Sequence, residues 1–163
     1  RVTTFISYFV ISQIDVIFLP PAFAFHTSKV MFVAALSEYD QTLWEESEEN
    51  RMVDSLGLFT WVCKQACFES TSILLFLNKR DLFEQKVQKV AIASVPAFQD
   101  YSGGGPGSGK EVEDGLAYFQ GKFLDTTGDD SFKEIFTHVT CATDSDRRLR
   151  LYSVYPTPEI DRS

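Results

Sequence analysis

Thr71-Ser72-Ile73-Leu74-Leu75-Phe76-Leu77-Asn78-Lys79-Arg80-Asp81 is the stretch that decides the fold. Residues 71–77, TSILLFL, form a short, nearly continuous apolar run. A run of that length without polar alternation fits a strand buried in a parallel sheet. Asn78-Lys79-Arg80-Asp81 follows it directly. In open α/β sheets, ligands sit beyond the carboxyl ends of the strands. The N-K-x-D tetrapeptide therefore stands where such a sheet places a binding loop.

Working outward, residues 30–36, VMFVAAL, form a second buried-strand candidate. Residues 132–141 form a third, with Ile135 and Val139 on one face. Met52, Leu56, Phe59, Cys63 and Ala66 recur at helical spacing, which predicts a helix over 50–66. A second helix is predicted over 111–124, with Val112, Leu116, Phe119 and Phe123 on one stripe. Its Gly115 and Gly121 each cost about 1 kcal/mol relative to alanine. Residues 37–50 are acidic and polar, and 101–110, YSGGGPGSGK, reads as a flexible loop by composition. Strand, helix, strand, helix, strand is the pattern of an α/β fold: a partial parallel sheet with flanking helices.

The 163 residues suffice for one domain with a real core. At 44% hydrophobic and 23% charged, the chain has the composition of a globular protein. Its formal net charge of -8, with no basic stripe, argues against a nucleic-acid partner. Phenylalanines crowd the first 25 residues, but Gln13, Asp15 and Pro20-Pro21 break that run. It fits neither a transmembrane helix nor a signal peptide. Cys63, Cys67 and Cys141 form no disulfide framework, which suggests thiols in a reducing compartment. Cys63 and Cys67, four apart, would share one helix face. With His26 and His138 lacking companions, no metal site is expected.

The chemistry of N-K-x-D suits guanine. Asp81 can accept the ring N–H and the exocyclic amine together, in a bidentate, charge-assisted pair. Adenine has no such two-donor edge. Asn78 can hydrogen-bond the ring nitrogen or tie loops together. The methylene stem of Lys79 can lie along a base face. Thr140-Cys141-Ala142-Thr143 ends the last predicted strand. There the small Ala142 would let its backbone N–H reach the base oxygen, or the segment simply ends a strand. Gly104 to Lys110, GGPGSGK, matches a phosphate-loop pattern, but Glu111 stands where a magnesium-binding hydroxyl belongs. Its preceding residues are no clear strand, so a solvent-exposed linker is the competing reading. No nucleophile with a base, and no paired carboxylates, mark a catalytic centre. Cys141 and His138, three apart on a strand, would point to opposite faces.

The segments VMFVAALSEYDQTLWEESEENRM (30–52), WVCKQACFESTSILLFLNKRDLFEQKV (61–87) and IFTHVTCATD (135–144) together resemble heterotrimeric G-protein α subunits. The KQxCFExTS wording is similar to the plant-type branch. The resemblance covers the C-terminal half of that family, the second half of a Ras-like GTPase domain. It divides the chain into an apolar leader at 1–29, a partial GTPase domain at 30–144 and a divergent, irregular tail at 145–163. Both ends, including the start at Arg1, read as those of a truncated or misjoined piece.

The resemblance implies that Asn78, Lys79, Arg80 and Asp81, with Cys141, Ala142 and Thr143, surround guanine. Ala142 would donate its N–H, Cys141 and Thr143 would shape the loop, and Arg80 is a variable position. It implies GTP or GDP as ligand, with magnesium in the complete protein. It implies βγ complex, receptor and effectors as partners, and the cytoplasmic face of the plasma membrane as location. The helix over 50–66 and residues 67–70 would face effectors. The family's phosphate loop, magnesium-binding hydroxyls, catalytic Arg and D-x-x-G-Q switch find no counterpart in the matching span. No GTPase activity is therefore expected of this chain alone, since phosphoryl transfer rests on those groups. Base contacts alone imply millimolar or weaker affinity, about 4 kcal/mol. A further expectation is an exposed apolar edge on strand 30–36, whose family neighbour is missing, unless the leader covers it. The competing functions are a truncated, non-catalytic binding module and an enzyme using GGPGSGK as its phosphate loop.

Overall fold

The computed structural model describes residues 7–12, 27–43, 49–69, 71–126 and 134–141. Its centre is the pair of strands expected at 30–36 and 71–77, observed as β2 (Thr27–Ala35) and β3 (Ser72–Asn78). β4 (Ile135–Val139) extends them on one side and β1 (Ser7–Ser12) on the other. The four strands lie in the order β1-β2-β3-β4, every neighbouring pair parallel. Val30 stands beside Ile73 and Ile73 beside Ile135, which puts the apolar positions of three strands in rows.

The leader supplies β1. Tyr8 stands beside Lys29 and Ser12 beside Val33, so the edge of β2 expected to lie open is paired with backbone. The tail expected at 145–163 lies outside the described residues.

Among the described residues, three α-helices flank the sheet. α1 (Arg51–Cys63) starts at Asn50, whose side chain accepts from the N–H groups of Met52 and Val53. Such a cap contributes about 1 kcal/mol by satisfying donors that the first turn leaves open. α1 ends at Cys63, and Cys67 lies in a separate 3-10 turn, Ala66–Phe68. The two thiols therefore do not share a helix face: Cys63 is buried and Cys67 exposed. α2 (Arg80–Val87) was not anticipated from the sequence; only Phe83 and Val87 face inward from a charged octapeptide. α3 (Glu111–Asp125) matches its expected span closely.

The helices share one core with one face of the sheet. Val30, Phe32, Ala34, Ile73, Leu75 and Leu77 are fully enclosed there with Phe59, Phe83, Phe119 and Phe123. Phe32, Phe59 and Phe123 form a triangle of rings with centroids 5.0, 5.4 and 6.3 Å apart. Phe119 is a second node, packed on Tyr39, Phe83, Phe98 and Tyr118. The strands were expected to be buried throughout. Instead Met31, Val33, Leu74 and Phe76 on the opposite face are half-buried, and Phe136 is exposed. The cause is that the inward residues of all three helices join the cluster on the first face.

The two glycines of α3 differ in kind. A Cβ on Gly115 would stand 2.8 Å from Ile92 Cδ1 and from Phe83 Cζ, whereas one on Gly121 meets nothing within 4 Å. Gly121→Ala is expected to stabilise the fold by about 0.4–1 kcal/mol, through the lower entropy of the unfolded chain. Gly115→Ala is expected to destabilise it by about 1–3 kcal/mol through overpacking. Urea denaturation of the two variants should move the midpoint in opposite directions; a shared direction would refute the distinction.

Candidate functional site

The carboxyl ends of β3 and β4 are joined by main-chain hydrogen bonds. Thr140 N–H donates to Leu77 O at 2.9 Å, and Arg80 N–H donates to Thr140 O at 3.2 Å. Asn78 Oδ1 accepts from Lys79 N–H at 2.8 Å and from the Thr140 hydroxyl at 3.2 Å. Asn78 thus performs the loop-tying role that its chemistry allowed. The two segments singled out in the sequence begin side by side, although their tie spans 62 positions.

Lys79 is in the left-handed region, φ 60° and ψ 40°. It is the one non-glycine residue with positive φ among those described. That conformation costs an L-residue about 1–2 kcal/mol. It turns the chain from β3 straight into α2. Arg80 and Asp81, expected in a loop, are therefore the first two residues of a helix. Asp81 is half-buried in the first turn, where a carboxylate is favoured by the unpaired N–H groups of the helix start. Arg80 directs its Nε to Glu84 Oε1 at 2.6 Å, one turn further on. Cys141 is half-buried just past β4. Ala142 and Thr143 lie outside the described residues.

One set of contacts had no signal in the sequence reading. Leu36–Glu38 forms a buried 3-10 turn at the end of β2. Glu38 Oε1 accepts from Lys79 Nζ at 2.7 Å, and Arg51 Nε lies 3.0 Å from Glu38 Oε2. The Arg51 contact is ionic, without the alignment of a hydrogen bond. Lys86 Nζ donates to Ser37 O and pairs with Asp40. The fully buried Tyr39 donates its hydroxyl to Val90 O, and burial, then the Asp40 charge, raise its pKa.

The glycine-rich loop is pinned rather than slack. Tyr101 hydroxyl donates to Gly104 O at 3.1 Å, and Gly104 N–H donates to Asp114 Oδ2 at 2.8 Å. Gly107 and Gly109 take φ of 82° and 75°, which curls the backbone into a nest. Its occupant is the carboxylate of Glu111. That group accepts from the Ser108 hydroxyl at 3.0 Å and is favoured by the nearby backbone N–H groups of its own residue, Gly109 and Gly107. These contacts hold its pKa below the usual range, although its removal from solvent opposes them. Glu113 and Asp114 add further negative charge to the same turn. A phosphate there would meet like charge and donors already in use. Lys110→Ala is accordingly expected to leave nucleotide affinity within about twofold of the parent, since each charged hydrogen bond lost would cost tenfold or more. A tenfold loss in a nucleotide titration would restore the loop as a phosphate cradle.

Among the described residues no group of three or more His, Cys, Asp or Glu could hold a metal ion. No helix among them is long and apolar enough to cross a membrane.

An all-parallel sheet with loops tied together beyond adjacent strand ends defines an open-sheet α/β protein. The family profile for the G-protein alpha subunit matches residues 22–151, wider at both ends than the motif-bearing span 30–144. The guanine nucleotide-binding protein alpha-1 subunit of Solanum lycopersicum is 41% identical over 133 residues, covering 82% of this chain and 31% of that protein. The alpha-17 subunit of Caenorhabditis briggsae is 39% identical, covering 81% of this chain and 35% of its own length. The chain belongs to the G-protein alpha subunit family, and it spans about a third of the length of these curated relatives.

Proposed function

We propose that this chain carries the guanine-recognition part of a heterotrimeric G-protein α subunit acting in receptor-coupled signal transduction. The observation that carries the reading is the tie between the β3 and β4 ends through Asn78, Thr140 and Arg80. It joins the segment that bears Lys79 and Asp81 to the one that leads into Cys141, which supports a reading in which one planar base meets both. Asp81 supplies the paired acceptor for the guanine edge, Lys79 its stem, and the backbone from Cys141 through Thr143 the donor for the base oxygen. GTP hydrolysis, magnesium, βγ complex, receptor and effectors belong in this proposal to the complete protein at the cytoplasmic face of the plasma membrane. That the relatives are guanine nucleotide-binding proteins by name supports the nucleotide assignment.

The test is a titration of the isotopically labelled chain with guanosine 5′-monophosphate (GMP) and adenosine 5′-monophosphate (AMP), followed by amide chemical shifts. GMP is expected to perturb residues 78–81 and 140–141 at millimolar concentration, and AMP at least tenfold more weakly, about 1.4 kcal/mol. Equal responses to the two nucleotides would end the guanine reading.

The second reading, a non-catalytic binding module, is favoured by one observation. Val53 and Trp61 stand two turns apart on α1 and are exposed by 39% and 51%. An outward tryptophan on a helix is the kind of anchor that protein interfaces use.

A further inference from the structure

Glu38 stands between two cations from different elements of the fold, Lys79 and Arg51. Its side chain is 9% exposed, against 42% for Lys79 and 31% for Arg51. A carboxylate with so little access to water depends on neighbouring groups, here the two cations, for its compensation. The two partners have distinct places. Lys79 is the strained residue of the guanine loop, and Arg51 is the first residue of α1. The turn bearing Glu38 is itself fixed from several sides. Asn50 Nδ2 donates to Tyr39 O at 2.6 Å, Arg51 N–H donates to Gln41 O at 2.9 Å, and Lys86 holds Ser37 O. The backbone that carries Glu38 is therefore braced, and its carboxylate is not a mobile surface charge.

We propose that Glu38 is a positioning residue for the guanine base: it anchors the Lys79 ammonium and, through Arg51, links the base loop to the first turn of α1. The inference rests on the guanine reading and deepens it. A lysine stem lies along a base only if its far end has somewhere to go. With Nζ fixed on Glu38, the methylenes are held in one direction instead of sampling their rotamers, so less order is lost on binding. When the base arrives and Lys79 adjusts, the shared carboxylate must adjust with it. Arg51, and with it the start of α1, then senses occupancy of the base site.

The experiment is the GMP titration repeated on Glu38→Gln and Arg51→Gln in the full chain, with AMP as control. In the parent, GMP should shift the amides of 51–53 along with those of 78–81, at one common affinity. Glu38→Gln keeps the shape and removes the charge; it should weaken GMP about tenfold and abolish the response at 51–53. Arg51→Gln leaves the Glu38–Lys79 contact in place. It should keep GMP affinity within about twofold, a change too small for a lost charged hydrogen bond, while losing the α1 response. That split is one a merely structural role would not produce. Should Glu38→Gln fail to fold, Arg51→Gln alone decides: a persisting α1 response overturns the inference. Glu38→Gln binding GMP as the parent does overturns it as well. A parent chain that does not prefer GMP over AMP overturns the guanine reading itself, and so is told apart from failure of Glu38 alone.

Discussion

Phe119→Ala is expected to remove about 3–5 kcal/mol of stability, the largest loss of any single truncation considered, because a buried aromatic leaves a cavity that rigid neighbours cannot fill. Phe119 is fully enclosed, and its ring packs on Tyr39, Phe83, Phe98 and Tyr118. Those four come from the end of β2, from α2, from the turn at Pro96–Phe98 and from α3 itself. One truncation thus loosens every element that leans on the base site. Domains of this size hold about 5–15 kcal/mol in total, so much of the stability is at stake. The urea midpoint should fall by roughly 2 M, given the usual slopes. Phe136→Ala is the control: that ring is 43% exposed on β4, and its loss should cost about 0.5 kcal/mol or less. Equal midpoints for the two variants would show that the aromatic cluster is not the centre of the fold.

Asp81→Asn is expected to erase the preference for GMP over AMP. The carboxylate can accept from two donors at once, whereas an amide offers one acceptor and sets a donor against the base's own amine. A charged hydrogen bond of about 1.5–3 kcal/mol is lost, a factor of roughly 10 to 100 in affinity. The same exchange should favour a base with a carbonyl in place of that amine, so xanthosine monophosphate should bind better to the variant than to the parent. Asp81 sits in the first turn of α2, so a stability loss of up to about 1 kcal/mol is expected alongside. A urea curve separates that loss from the change in preference. If the variant keeps the parent's GMP-to-AMP ratio, Asp81 does not read the base.

The elements legible in the sequence are those with an unambiguous period. Residues 30–36 and 71–77 are apolar without interruption, and the stripes of 50–66 and 111–124 recur at helical spacing. β1 was not legible, because SYFVIS is embedded in a longer apolar stretch with no period of its own. α2 was hidden by its charge, with two inward residues in eight. At the site, Asn78, Lys79 and Asp81 announced themselves as a motif, and the structure shows Asn78 fastening the loops. Glu38 did not, since its partner Lys79 is 41 positions away and pairing across a parallel sheet leaves no local trace. GGPGSGK was legible as a pattern and misleading as chemistry; only the geometry ties the Glu111 carboxylate to Ser108, between the two glycines of positive φ and the helix start.

The sheet's strands stand in the order in which they occur along the chain. A sheet of that kind can be laid down in a single direction during synthesis, each strand docking on an edge already present. β4 comes last among the described strands, and the bonds from Thr140 to Leu77 and Asn78 can close only when it docks. On the proposed function, docking of β4 and readiness to hold a base are then the same event. A ligand spanning both segments would act as a latch on the final strand, and stabilise its docking in proportion to its own occupancy.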